Sequence, residues 1–195
     1  MDCEKVGKLI AQLRQERGLT QKNVADALGI SNKTVSKWEC GLGCPDLNVW
    51  PELAIMLGVD MKQLMEGEIT KNRPDSGNIA RVRFYLCPVC GNVLVRTGAA
   101  TIHCCGRRLE QLNVSRAELP EIRVEEMDVD YYVSFDHPMS KEHYLIFAAY
   151  VKSDRITLHR LYPEQDAAVR FPAQRGGKLY VCCSKHGLMH YSKSF

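Results

Sequence analysis

The chain has 195 residues, 45% of them hydrophobic, and a formal net charge of +3. This length predicts one or two domains, and the hydrophobic content argues against a chain that is disordered throughout. The small net charge does not indicate nucleic-acid binding by itself, and no apolar stretch is long enough for a membrane span or a signal peptide. We therefore expect a cytoplasmic protein with no membrane partner.

Residues 1–67 carry the pattern of five short helices. A first helix is predicted from apolar residues with the spacing of one helical face, namely Val6, Leu9, Ile10 and Leu13. Thr20 and Ser31 are suitable N-cap residues for helices over about 21–28 and 32–39. Two further helices are predicted over about 47–57 and 61–66. This part is therefore expected to be an all-α domain.

The second and third predicted helices meet across a tight turn at Gly29. The third helix would present a polar and basic face made of Asn32, Lys33, Thr34, Ser36 and Lys37. Such a face suits a recognition helix that enters the major groove of double-stranded DNA. Asn pairs well with adenine and Lys with guanine, and Gln21 at a helix start is suited to hold a phosphate.

This stretch resembles the Cro/lambda-repressor-like helix-turn-helix family. The motifs that carry the resemblance are Thr20-Gln21, Val24-Ala25, Gly29-Ile30-Ser31, Val35 and Trp38-Glu39, and it covers about residues 4–67. It implies base contacts by Asn32, Lys33 and Lys37, and DNA-backbone contacts by Gln21 and Thr34. It also implies a homodimer on two half-sites of DNA. The alternative is a helical module that contacts only other proteins.

Residues 68–81 are polar and contain Pro74 and Gly77, which predicts a linker. Beyond it the hydrophobic period changes to two, and strands are predicted over about 122–135, 144–151, 155–161 and 178–182. Short strands separated by turns suggest a β-sandwich. We expect a helix-turn-helix domain over 1–67, a small thiolate metal domain over 82–112, and an all-β sandwich over 113–195, which the family resemblance of this region described below implies is immunoglobulin-like.

Nine cysteines in a reducing compartment indicate metal or redox chemistry more than a disulfide framework. Four of them form two close pairs, Cys87 with Cys90 and Cys104 with Cys105. Four thiolates are the ligand set of tetrahedral zinc or of a mononuclear iron centre. The pattern resembles the desulforedoxin-type domain at the front of desulfoferrodoxins, which implies iron, while zinc suits the same four sulfurs.

A second candidate metal site lies in the carboxyl-terminal half. His137 and His143 are six residues apart around a bend, and Cys183 and His186 are three apart before a glycine. Imidazole suits iron, zinc and copper, and a thiolate donates electron density to the metal. The motifs resemble the catalytic domain of the superoxide reductase family, in which an iron has four His ligands and an axial Cys. The resemblance implies equatorial ligation by His137, His143 and His186, and axial ligation by Cys183.

The resemblance is incomplete at one ligand. Glu118 stands where the family has a fourth His, and Ala117 stands where it has a catalytic Lys. Glu118 could ligate through oxygen, and Arg116 could replace the missing cation. Efficient superoxide reduction is therefore not expected.

These patterns leave three hypotheses open. The leading one is a sequence-specific transcriptional regulator whose metal-binding half senses redox state or oxygen. The others are a superoxide reductase with an appended DNA-binding domain, and a regulator with structural zinc in the thiolate site. Cys40 and Cys44 are expected to be surface thiols, and Cys182 is expected to point away from Cys183.

Overall fold

The computed structural model describes residues 1–115, 120–173 and 176–191, and it divides into two compact units, Met1–Lys71 and Asn72–Phe195. The first unit contains five helices. Their bounds are Cys3–Glu16 (α1), Gln21–Ala27 (α2), Asn32–Glu39 (α3), Trp50–Leu57 (α4) and Met61–Glu66 (α5). In the part of the chain that the structure describes, no helix is long and apolar enough to cross a membrane.

The helix starts follow from capping residues. The hydroxyl oxygens of Thr20 and Ser31 accept hydrogen bonds from backbone amides in the first turns of α2 and α3, as the sequence predicts. Helix α4 begins at Trp50, three residues later than expected, and Pro51 occupies its first turn. Proline is favoured there because its missing amide would be unpaired in any case.

The helices enclose one apolar core, with Ile10, Val35 and Leu53 fully buried. Gly7 lets α1 approach α3 closely, because a Cβ at this position would overlap the carbonyl oxygen of Trp38. One sequence expectation about this unit is wrong. Cys44 is not a surface thiol but forms a disulfide with Cys3, across a Cα–Cα distance of 5.1 Å, because the segment after α3 returns to the start of α1.

Among its described residues, the second unit contains a 3₁₀ helix and eleven short strands, and these strands pair antiparallel. The elements are Ile79–Arg81 (3₁₀), Arg83–Leu86 (β1), Val93–Arg96 (β2), His103–Cys104 (β3), Arg107–Arg108 (β4), Ile122–Met127 (β5), Asp130–Phe135 (β6), Leu145–Lys152 (β7), Arg155–Arg160 (β8), Ala168–Pro172 (β9), Lys178–Cys183 (β10) and Gly187–Tyr191 (β11). Strands β1 and β2 form one hairpin, and β3 and β4 form another.

Two larger sheets make up the rest of this unit. One has the strand order β5-β6-β9 and the other β11-β10-β7-β8. Their inner faces share a core, which Val133 and Phe171 enter from the first sheet and Leu179 and Val181 from the second. The opposite face of the four-stranded sheet is covered by Phe84 of β1. Its ring lies 5.3 Å from those of Phe147 and Tyr180.

The strand predictions differ from the structure in two ways. The stretch 122–135, expected as one strand, is a hairpin that turns at Asp128, whose φ is +46°. Alternation of apolar and polar residues continues across such a short turn, so the pattern does not reveal it. Strands β1 to β4, β9 and β11 were not predicted.

Candidate metal centres and DNA-binding face

Helix α3 presents the polar face that the sequence predicts. Val35 and Trp38 anchor it in the core, while Asn32, Lys33 and Lys37 are exposed. Thr34 is half-buried, and its hydroxyl lies 2.9 Å from that of Ser31. Two cations and one amide therefore project from one side of a rigidly packed helix.

Gln21 is placed differently from the other expected DNA contacts. Its side-chain amide nitrogen donates to a carboxylate oxygen of Glu39 at 2.8 Å. Arg14 donates to both oxygens of the same carboxylate, at 2.6 and 3.0 Å. Burial acts to raise the pKa of Glu39, but the hydrogen bonds from Arg14 and Gln21 outweigh it, and the pKa of Glu39 is lowered. The side-chain nitrogen of Gln21 is thus already bonded to Glu39 of the same domain.

The four predicted thiolates lie together. The sulfurs of Cys87, Cys90, Cys104 and Cys105 all lie within 4.8 Å of one another. The sulfurs of Cys90 and Cys104 are 3.5 Å apart, and those of Cys104 and Cys105 are 4.0 Å apart.

The backbone around these cysteines explains how they converge. Gly91 has φ +67°, and its amide donates to the carbonyl of Cys87 at 2.9 Å, which closes the turn between the first two cysteines. Cys105 has φ +50°, which turns the chain so that adjacent side chains share one side. Arg160 of β8 donates to the carbonyl of Gly91 at 2.8 Å and so ties this turn to the four-stranded sheet.

The electrostatics of the four sulfurs fit a bound cation. Backbone amides of Cys90 and Val89 lower the pKa of Cys87 to about 6. The neighbouring sulfur of Cys90 raises the pKa of Cys105 to about 12. One thiolate is therefore stabilised, whereas further negative charge in the cluster is unfavourable without a counterion. A divalent metal removes that conflict, because all four ligands deprotonate on binding.

The second candidate site combines imidazole and thiolate ligands. Ligand atoms of His137, His143 and Cys183 all lie within 4.8 Å of one another. Nε2 of His137 is 3.4 Å from the sulfur of Cys183. The ring centroids of His137 and His143 are 4.4 Å apart. His186 is exposed and lies beside this group, with Nδ1 3.6 Å from the Cys183 sulfur.

A break in strand register creates this arrangement. Cys182 pairs with Phe147, but Cys183 pairs with Leu145, so the register shifts between the two cysteines. Such a bulge redirects side chains. Cys183 enters the core between the two sheets, whereas Cys182 packs on the opposite face with Phe147, as the sequence predicts. The amide of Ser184 then donates to the carbonyl of Tyr144 at 2.9 Å.

His137 and His143 favour the neutral form, which is the form that binds a metal. Burial, helped by the nearby charges of His143 and His186, lowers the pKa of His137 to about 4. Burial also lowers the pKa of His143. Nε2 of His143 is buried, and no hydrogen-bond partner reaches it among the described residues. An unpartnered buried nitrogen beside a thiol fits a metal ligand, because metal binding would satisfy it.

The resemblance to the superoxide reductase motif is incomplete at Ala117 and Glu118. Ala117 and Glu118, and also Arg116, lie outside the described residues. The described part of the site therefore consists of one sulfur and three imidazoles.

Comparison with known proteins identifies the helical unit. The family model HTH_3, helix-turn-helix, matches residues 10–64. The ImmF control region 10 kDa protein of Bacillus phage phi105 is 35% identical over 69 residues, which are 35% of this chain and 77% of that protein. The chain belongs to the HTH_3 helix-turn-helix family.

Other relatives of this helix-turn-helix protein match over a smaller share of their length. The HTH-type transcriptional activator BcrR of Enterococcus faecalis is 34% identical over 59 residues, which are 30% of this chain and 29% of BcrR. This chain thus spans less than a third of that activator. Among solved structures, the superoxide reductase from Treponema pallidum has a TM-score of 0.49 and 21% identity, covering 57% of this chain and 97% of that chain. A likeness of this size carries no conclusion about activity.

Sequence reasoning missed two features of this helix-turn-helix protein. The pair Arg14–Glu39 is separated by 25 residues, and no local pattern links them. The bond from Arg160 to Gly91 spans 69 residues and joins two parts that were predicted as separate domains. For the Arg14–Glu39 pair, the available sequence signal was the Glu that ends the Trp38-Glu39 motif.

Proposed function

We propose that this chain is a sequence-specific DNA-binding transcriptional regulator of the cytoplasm, which binds DNA as a homodimer and whose carboxyl-terminal part binds metal at two sites. The redox state or occupancy of the metal would adjust DNA binding. The observation that carries the proposal is that one chain contains both an exposed basic recognition face and two gathered ligand sets.

The DNA-binding part of the proposal depends on Asn32, Lys33 and Lys37, which are the exposed side chains of α3. A double-stranded ligand is to be selected from a random-sequence oligonucleotide pool, since a specific protein enriches one site. Lys33→Ala is expected to weaken binding to that site by about tenfold or more, as loss of one base contact does. Lys62→Ala on α5 is the control, because Lys62 is also exposed but lies on another helix. Equal losses for the two variants would contradict base reading by α3.

The metal-binding part of the proposal follows from the donor atoms. Four sulfurs suit iron or zinc, and the His–Cys group suits iron. The bound metal would hold the two cysteine turns together at the first site and supply electron exchange at the second. The β-rich part that holds the second group is proposed to be an immunoglobulin-like sandwich, because its two antiparallel sheets share a core.

Elemental analysis of protein purified without added metal tests this part. We expect close to two metal ions per chain, and one after Cys104→Ser. Cys40→Ser is the control, since Cys40 is exposed and belongs to neither ligand set. Zinc alone, at one ion per chain, would instead support a regulator with a structural thiolate site.

Coupling between the two parts is tested by DNA affinity in three states of the protein. Metal-loaded protein, the same protein after oxidation, and metal-free protein are compared on the selected oligonucleotide. A ligand shifts a conformational equilibrium only through different affinity for the two states. We expect a difference of about fivefold or more between states. Identical affinity in all three would reject sensing.

Superoxide reduction is the second candidate function. The convergence of Cys183, His137 and His143 favours it, and the absence of a His at position 118 weighs against it. Pulse radiolysis of the ferrous protein separates the candidates, because an enzyme of this type must react rapidly with superoxide. A slow reaction would reject superoxide reduction, and transcriptional regulation would be the remaining candidate function.

A further inference from the structure

The helical unit contains a pair of cysteines that belongs to neither metal site. Cys3 is the first residue of α1, and Cys44 lies in the segment between α3 and α4. They form a disulfide, and both are half-buried rather than enclosed in the core. Both residues are therefore partly exposed to solvent.

We infer that Cys3 and Cys44 are the two thiols of a reversible redox switch, which a hydroperoxide closes and a dithiol opens, and which acts on the carboxyl end of recognition helix α3. The inference rests on the proposed DNA-binding function in one respect. A protein that binds DNA works in the compartment that contains DNA, which is reducing. Disulfides there are usually transient and redox-sensing rather than permanent.

The disulfide holds a segment that continues directly from α3. The amide of Gly41 donates to the carbonyl of Trp38 at 2.9 Å, and the amide of Leu42 donates to the carbonyl of Lys37 at 2.9 Å. Gly41 has φ +73°, and a Cβ on it would lie 3.0 Å from the Cα of Glu4. The chain therefore leaves α3 and passes directly against the first turn of α1.

Few other interactions fix the middle of this segment. Leu42 is 77% exposed, and a Cβ added to Gly43 would meet nothing within 4 Å. The far end is fixed separately, because the indole of Trp50 donates to the carbonyl of Pro45 at 3.1 Å. Residues 42–44 thus depend on the disulfide for a covalent attachment to α1. Reduction of the disulfide would loosen the hydrogen bond from the amide of Leu42 to the carbonyl of Lys37. The side chain of Lys37 is a proposed base contact.

The oxidation step balances with two thiols and one hydroperoxide. The thiolate of Cys3 attacks the hydroperoxide, an S–O bond forms, the O–O bond breaks, and the alcohol or water leaves with a proton. The sulfur of Cys44 then attacks the sulfenic acid of Cys3, an S–S bond forms, and water leaves with the proton of Cys44. The two sulfurs give up two electrons in total. A dithiol reverses the reaction by thiol–disulfide exchange through a mixed disulfide.

Cys3 is assigned the first attack because it begins a helix of 14 residues. Thiolates at helix N-termini are stabilised by the backbone dipoles, which increases their reactivity. Cys40 is the alternative partner by sequence, being four residues from Cys44. It is a free and exposed thiol in the structure, so it serves as the matched control.

The thiol chemistry is tested on the full chain without DNA. Protein reduced with dithiothreitol is treated with hydrogen peroxide, and the cysteines are located by peptide mass spectrometry. We expect a Cys3–Cys44 disulfide that dithiothreitol removes, unchanged in Cys40→Ser. In Cys44→Ser, a dimedone adduct is expected on Cys3, because the sulfenic acid has no partner. A bond that survives excess dithiothreitol, or a Cys40–Cys44 bond in its place, would overturn the switch.

The effect on α3 is tested by two readouts. Amide hydrogen exchange over residues 37–44 is expected to speed up about tenfold or more on reduction of the wild-type protein, and to be insensitive to reductant in Cys3→Ser. Affinity for the selected oligonucleotide is expected to change by at least about fivefold. Unchanged exchange would overturn the inference. Failure to select any DNA would reject the proposed function while the exchange and mass measurements still decide the redox chemistry.

Discussion

The sulfur of Cys183 lies between two imidazoles, 3.4 Å from Nε2 of His137 and 3.6 Å from Nδ1 of His186. The backbone amide of Lys185 also points at it, at 3.4 Å. An amide that donates to a thiolate reduces the electron density that the sulfur gives to a metal, which is one way in which a protein adjusts a metal site. The residue next to Cys183 offers a direct comparison, because Cys182 is buried on the other side of the strand.

Replacing Cys183 is therefore expected to have a different effect from replacing Cys182. Cys183→Ser should remove the thiolate-to-metal absorption band of the second site and weaken its metal binding by about 100-fold or more. Cys182→Ala should leave the band and the stoichiometry unchanged and only reduce stability, because it leaves a small cavity. Titration with Fe²⁺ or Co²⁺ under anaerobic conditions measures both properties. A band that persists in Cys183→Ser would remove Cys183 from the proposed ligands.

At the scale of elements, the buried pair Arg14–Glu39 joins α1 to the end of α3, and Gln21 adds α2 to the same carboxylate. The two charged side chains are only 12% and 8% exposed. A buried charge that loses its partner is strongly destabilising. Glu39→Ala is expected to lower the free energy of unfolding by about 3–5 kcal/mol, measured by urea titration. Glu4→Ala, which removes an exposed pair with Lys8, should change it by less than about 1 kcal/mol.

The same pair predicts how stability depends on pH. The folded pKa of Glu39 is lowered, so its contribution is present above the ordinary carboxyl pKa of about 4.3. This contribution is lost as the pH falls through the lowered folded value. Between pH 7 and pH 3 the urea midpoint of the wild type should therefore fall more than that of Glu39→Gln. Equal shifts would mean that the carboxylate is not stabilised in the folded state.

Strand β8 supports the thiolate site at a distance. Arg160 at its end donates to Gly91, next to Cys90, whereas Arg155 at its start is exposed and contacts only its neighbour Asp154 among the ion pairs of the described residues. Loss of a supporting hydrogen bond commonly weakens metal binding by 10–100-fold. Arg160→Gln is expected to weaken binding at the four-sulfur site by about tenfold, and Arg155→Gln by less than twofold. Competition with a chromophoric chelator measures both.

Local rules predicted the elements better than the contacts between them. Thr20 and Ser31 marked two helix starts because capping depends on residues within one turn. The candidate ligand residues of both sets were predicted from spacing and family resemblance. The structure gathers them within 4.8 Å of one another, except His186, which lies beside its group. The Cys3–Cys44 bond could not be predicted, because Cys40 is nearer in sequence and nothing local distinguishes the two partners. The hairpin at Asp128 was missed because its strands continue the same alternation.

The two tryptophans provide a selective fluorescent probe of unfolding of the helical unit. Trp38 and Trp50 are the two tryptophans of the sequence, and both are buried in the helical unit. The Cys3–Cys44 bond spans 41 residues, and loop-closure entropy for this length corresponds to about 4 kcal/mol. Reduction should therefore lower the free energy of unfolding reported by tryptophan fluorescence by up to about 4 kcal/mol. Cys3→Ser should match the reduced protein and be insensitive to reductant. An equal effect of reductant on wild type and variant would assign the change to other thiols.

The strand β10 shows how closely its length is constrained. Its last two residues, Cys182 and Cys183, send one sulfur into the packed face under Phe84 and the other toward the imidazoles. Adding or deleting one residue earlier in the strand would exchange the faces of the residues that are shifted. Relatives that keep this fold should therefore keep the number of residues in β10, so insertions and deletions in an alignment should avoid this strand.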